Sequence, residues 1–124
     1  MLDQTIIDQY DALIFDMDGT LIDTMPSHAK AWEKVGEVLG YPINPKPMYE
    51  LSGSTTSVIA REIMQRSNIP EHYFEQVVQL KREFGIEMVL ANATLLPAFE
   101  IIKANVGKNQ WQSAQAHTVQ WWNY

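Results

Sequence analysis

The chain has 124 residues, enough for one modest domain, with a formal charge of −6 and no cysteine. The acidic balance excludes a basic field that would hold nucleic acid or an anionic membrane, and the missing thiols exclude a disulfide framework and thiol catalysis. The start MLDQTIIDQY carries acid where a signal peptide carries base and has no apolar block of spanning length, so a soluble, cytoplasmic chain is expected.

Asp11 to Asp16 read as a short, fully buried strand, because Ala12, Leu13, Ile14 and Phe15 are apolar at consecutive positions. From Pro26 the period becomes helical. Ala29, Trp32, Val35, Val38 and Leu39 recur at three and four, with Pro26 in the first turn and Gly40 at the end. Pro42, Pro45 and Pro47 then interrupt the chain before a helical turn at Met48 to Leu51. A second helix is predicted over Thr55 to Ser67, with Val58, Ile59, Ile63 and Met64 as its apolar stripe. A third runs from Pro70 to Val89 on Phe74, Val77, Val78, Leu80 and Phe84, with Gly85 a weak point in its interior. After Asn92 to Pro97, a fourth spans Ala98 to Ala104.

The sequence most loaded with chemistry is Asp16-Met17-Asp18-Gly19-Thr20-Leu21, at the exit of the apolar run. Positions i and i+2 of a strand share a face, and the Gly19-Thr20 turn lets the two carboxylates diverge around one reacting centre. Asp16 is placed as a nucleophile and Asp18 as a general acid/base. A plain Asp-Gly turn with solvated carboxylates is the competing reading.

DMDGTLIDT resembles the first motif of the haloacid-dehalogenase-like phosphohydrolases. The phrases DMDGTLIDTMPSHAKAW and LSGSTTSVIAREI are similar to the family's sugar-phosphate phosphatases, such as those for fructose 1-phosphate and 6-phosphogluconate, and to β-phosphoglucomutase. The resemblance implies an α/β fold in which a Rossmann-like core opens with the Asp16 strand and a helical cap is inserted into it. Residues 1–25 and 94–108 would be partial core and 26–93 cap, leaving this chain mostly helical and its core incomplete. It also implies Mg²⁺ held by Asp16 and by the backbone carbonyl of Asp18, with a phosphorylated sugar as substrate and an aspartyl-phosphate on Asp16. Thr20 and the N–H groups of Met17 and Asp18 could hold phosphate oxygens.

Other residues carry two readings. His28 lies one turn before Trp32 on the same helix face and is either a half-buried helix residue or, as the resemblance implies, a hinge residue near Asp18. Ser52, Gly53, Ser54 and Thr55 form a helix N-cap, and by resemblance a loop that touches the sugar. Lys81 belongs to a solvated face with Arg82, or contacts substrate. Trp111, Trp121 and Trp122 resemble an aromatic binding surface. The family's later phosphate-binding Ser or Thr strand, Lys and acidic pair do not follow Ala104.

The Gln- and Trp-rich residues 109–124 fit neither structural period and read as an out-of-frame tail. In the shifted frame the codons for Trp121-Trp122-Asn123-Tyr124 give Val-Glu-Leu without freedom, and those through Ala116 admit a strand ending in Gly-Thr-Gly. A frameshift near Gly107 to Asn109 is therefore expected, leaving an inactive N-terminal fragment of a phosphatase. A phosphomutase, or a non-catalytic remnant that binds through its cap helices, are the alternatives.

Overall fold

The computed structural model describes residues 3–11 and 13–105. Its contacts divide these into two units, one of residues 24–93 and the other of residues 3–23 with 94–105. The tail at 109–124 and its three tryptophans lie outside the described residues.

The unit of residues 24–93 is helical. Helix α2 (Met25–Leu39) has Pro26 in its first turn and ends on Gly40, whose φ of 78° is a left-handed conformation that costs glycine nothing. Trp32 and Val35 are fully buried on it. Gly36 allows the returning chain to close over the helix: an added Cβ would stand 2.9 Å from the Ile43 nitrogen and closer still to the Tyr41 carbonyl oxygen. The Gly36 carbonyl accepts the N–H of Tyr41 at 2.9 Å. A short helix α3 (Lys46–Glu50) follows, beginning two residues before the predicted turn.

Helix α4 (Thr56–Arg66) starts on Thr55, whose hydroxyl accepts the Val58 N–H at 3.4 Å. Its inward face is Ile59, Ala60, Ile63 and Met64; Val58, expected in that stripe, is exposed. After Asn68, which takes a φ of 54°, a 3₁₀ turn (Glu71–Tyr73) leads into α5 (Phe74–Asn92). Helix α5 continues unbroken through Gly85 and past the predicted end at Val89. Helices α2, α4 and α5 enclose one core around Trp32, Val35, Ile63, Met64 and Val77. Each such fully buried side chain contributes about 1.5–3 kcal/mol.

The other unit holds α1 (Gln4–Ile7), β1 (Ile22–Asp23), β2 (Thr94–Leu95) and α6 (Phe99–Asn105). Strands β1 and β2 pair antiparallel, Ile22 with Leu95 and Asp23 with Thr94. The Gln4 side-chain amide donates to Asn105 Oδ1 at 2.8 Å, tying α1 to the end of α6.

The expected strand at Asp11 to Asp16 is not formed in the described residues. Leu13 to Met17 have no strand pairing, and Ile14 is 93% exposed. A parallel strand is stable only between neighbours that accept its ladder bonds, and the two-residue β1 and β2 supply none. The described chain is thus mostly helical with a two-stranded sheet, an incomplete α/β core.

Candidate active site

Local hydrogen bonds shape the turn that bears both aspartates. The Met17 carbonyl accepts N–H groups from Leu21 at 3.0 Å, Ile22 at 3.1 Å and Thr20 at 3.3 Å, while the Gly19 N–H donates to the Ile22 carbonyl at 2.8 Å. Gly19 sits at φ 75°, which favours glycine there. Asp16 and Asp18 are exposed on either side of half-buried Met17, and Thr20 is half-buried. An isolated bridge from Asp18 to Ile22 and an N–H from Leu96 to the Leu21 carbonyl at 2.8 Å fasten the turn within its unit. Asp16, Met17, Asp18 and Thr20 therefore share one compact loop.

In the helical unit, α2 and α5 bring His28 and Lys81 together across 53 residues of sequence, with Lys81 Nζ 3.5 Å from His28 Nδ1. Lys81 is half-buried rather than on a solvated face, and its ammonium lies 6.0 Å from the centroid of the Trp32 ring. Trp32 lies beneath Lys81; its indole N–H is buried and has no hydrogen-bond partner among the described residues. Gly85 lies against this pair: the atoms nearest to a Cβ added there would be His28 Nδ1 and Lys81 Nζ, both at 3.7 Å, and His28 Cε1 at 3.9 Å. Sequence reasoning placed His28 and Trp32 on one face but gave no sign that Gly85 lies against them. An interior helical glycine was the one available hint.

Ser52, Gly53 and Ser54 are exposed in the loop between α3 and α4, and Thr55 is the exposed cap of α4. An open groove of about 440 Å³ elsewhere in the helical unit is lined by Glu33, Gly36, Glu37, Gly40, Pro42 and Ile43, none of them a predicted site residue. Among the described residues no three His, Cys, Asp or Glu side chains cluster as metal ligands. No helix of the described residues is long and apolar enough to cross a membrane.

A sequence model described as haloacid dehalogenase-like hydrolase matches residues 10–122. An uncharacterized protein of Haemophilus influenzae is 47% identical over 104 residues, covering 84% of this chain and 52% of its own. The fructose-1-phosphate phosphatase YqaB of Escherichia coli is 34% identical over 103 residues, 82% of this chain and 53% of its own. A phosphorylated carbohydrates phosphatase of Thermotoga maritima is 28% identical over 97 residues, 76% of this chain and 45% of its own. The chain thus spans about half the length of the curated relatives it matches. A Lactobacillus plantarum crystal structure described as a phosphoglycolate phosphatase superposes with a TM-score of 0.57 at 20% identity, covering 78% of this chain and 44% of that one, which is a likeness of fold.

Proposed function

This chain belongs to the haloacid dehalogenase-like hydrolase family, and from that premise we propose that its Met17-centred turn is the reacting end of a sugar-phosphate phosphatase. The observation that carries the reading is the turn itself, which leaves two carboxylates exposed on either side of one half-buried residue. The Asp16 carboxylate attacks phosphorus, forming an acyl phosphate as the bond to the sugar oxygen breaks, and Asp18 gives that oxygen its proton. Asp18 then takes a proton from the water that attacks the same phosphorus, releasing phosphate and restoring Asp16. Thr20 and the N–H groups of Met17 and Asp18 hold the phosphoryl oxygens.

The oxygen donors of the Asp16 carboxylate and the Asp18 carbonyl suit Mg²⁺, which accepts one or two protein carboxylates and completes its shell with waters and substrate phosphate. When bound, Mg²⁺ offsets the charge repulsion between the phosphate and the attacking carboxylate. The names of the Escherichia coli and Thermotoga maritima relatives support a phosphorylated sugar as substrate, and the family resemblance offers Lys81, His28 and the Ser52–Thr55 loop as further substrate-binding residues.

That the chain spans about half the length of its curated relatives supports reading it as the opening portion of that machinery. We expect phosphate release from fructose 1-phosphate at background for the 124-residue chain. A chain continued after Lys108 in the shifted frame should hydrolyse it with Mg²⁺, and Asp16→Asn should abolish that turnover. An extended chain that is inactive, or an active one indifferent to Asp16→Asn, would sink the assignment.

A further inference from the structure

Three backbone N–H groups converge on the Met17 carbonyl, and the Gly19 N–H closes the loop from the other side on the Ile22 carbonyl. These four bonds lie inside a loop of six residues, Met17 to Ile22, whose glycine takes a left-handed φ of 75°. Fixing the backbone of one residue costs at least as much as one internal hydrogen bond returns, so four bonds do not sustain six ordered residues. What holds the loop comes from outside it. Among the described residues its far end is tied to one segment: Ile22 pairs with Leu95, and the Leu21 carbonyl accepts the Leu96 N–H at 2.8 Å. Leu96 is set for this by its successor. Pro97 confines the residue before it to extended backbone, the conformation from which a strand residue donates to its neighbour. Pro97 itself has no N–H, so Leu96 is the last ladder donor of the segment. The Leu96 carbonyl accepts the Phe99 N–H at 2.9 Å, which fastens the same residue to the start of α6.

We propose that Leu96 is a positioning residue of the aspartate turn: its backbone N–H, not its side chain, holds the Leu21 carbonyl and so keeps Asp18 and the Met17 and Asp18 N–H groups in their working arrangement. The proposal rests on the phosphatase reading for what the turn does, and on the hydrogen bonds alone for what holds it. The path from Leu96 to Asp18 is short. Leu21 and Ile22 both donate to the Met17 carbonyl, and Ile22 bridges to Asp18, so freeing the Leu21 carbonyl releases the end of the loop against which Asp18 is set.

Replacing Leu96 by its α-hydroxy acid exchanges the N–H for an oxygen and keeps the side chain. In the 124-residue chain, amide hydrogen exchange of Gly19, Leu21 and Ile22 followed by NMR should then quicken about fivefold, the equivalent of one lost hydrogen bond, while the amides of α2 and α4 exchange as before. Leu96→Ala, which keeps the N–H, should leave the three turn amides at the parent rate. Turn amides unprotected in the parent or unchanged by the ester, an equal quickening in Leu96→Ala, or a quickening shared by α2 would each overturn the proposal. In the chain extended after Lys108, the ester should lower kcat for fructose 1-phosphate about fivefold and leave KM within about twofold, because the positioned groups act on charge that develops in the transition state. An extended chain without turnover, beside turn amides that respond to the ester, would overturn the phosphatase reading and leave the hold on the turn in place. Turnover with the parent kcat in the ester variant would do the reverse.

Discussion

Gly36→Ala tests how tightly the 41–43 segment closes over α2. An alanine in mid-helix gains about 1 kcal/mol of propensity. Against this, its methyl would sit 2.9 Å from the Ile43 nitrogen, 3.0 Å from the Ile43 side chain, and nearer than either to the Tyr41 carbonyl oxygen. Two of those atoms are backbone, so relief requires the chain itself to lift. Overpacking of this kind costs about 1–3 kcal/mol. Lifting the segment also loosens the 2.9 Å hydrogen bond from the Tyr41 N–H to the Gly36 carbonyl, for about 1 kcal/mol more. The balance is a loss of about 2 kcal/mol, or roughly 8 °C in Tm for a chain of this size. Thermal unfolding followed by helical circular dichroism would measure it, with Gly85→Ala alongside as the same substitution with the opposite expected sign. A Gly36→Ala protein melting at or above the parent temperature would refute the close approach.

Trp32→Ala removes the largest fully buried side chain of the helical core and should cost about 3–5 kcal/mol, read as a lower urea midpoint. Thr55→Ala deletes the side-chain cap of α4 and should cost about 1 kcal/mol by the same measurement, whereas Thr55→Ser, which keeps the accepting hydroxyl, should cost much less.

How much of this was legible in the sequence follows from how local each signal is. Helices α2 and α4 were readable because period and caps coincide: Pro26 and Gly40 bracket the first, and Thr55 opens the second. The apolar run at Leu13 to Phe15 satisfied every local criterion for a buried strand, yet strand formation depends on neighbours elsewhere, and the described residues supply none. Strands β1 and β2 escaped notice because two residues carry no period, and their pairing joins segments far apart in the chain. The aspartate turn was legible as a motif, with Gly19 adopting the left-handed φ that a tight turn suggests. The meeting of Lys81 with His28 was not, because it depends on which faces of α2 and α5 pack together.

The pairing of Asp23 with Thr94 sets the last residue before 24–93 beside the first residue after it. A segment that leaves and re-enters through adjacent strand partners has the topology of an insertion. It can be lengthened, exchanged or deleted at the DNA level while its flanks remain joined, since closing a loop costs little more for a long insert than for a short one. A tight two-residue turn spliced from Asp23 to Thr94 would leave the flanking pair as an ordinary β-hairpin. Conversely, residues 24–93 could be moved into another antiparallel turn as a self-contained cassette. The two units could then be inherited, and recombined, as separate pieces of a gene.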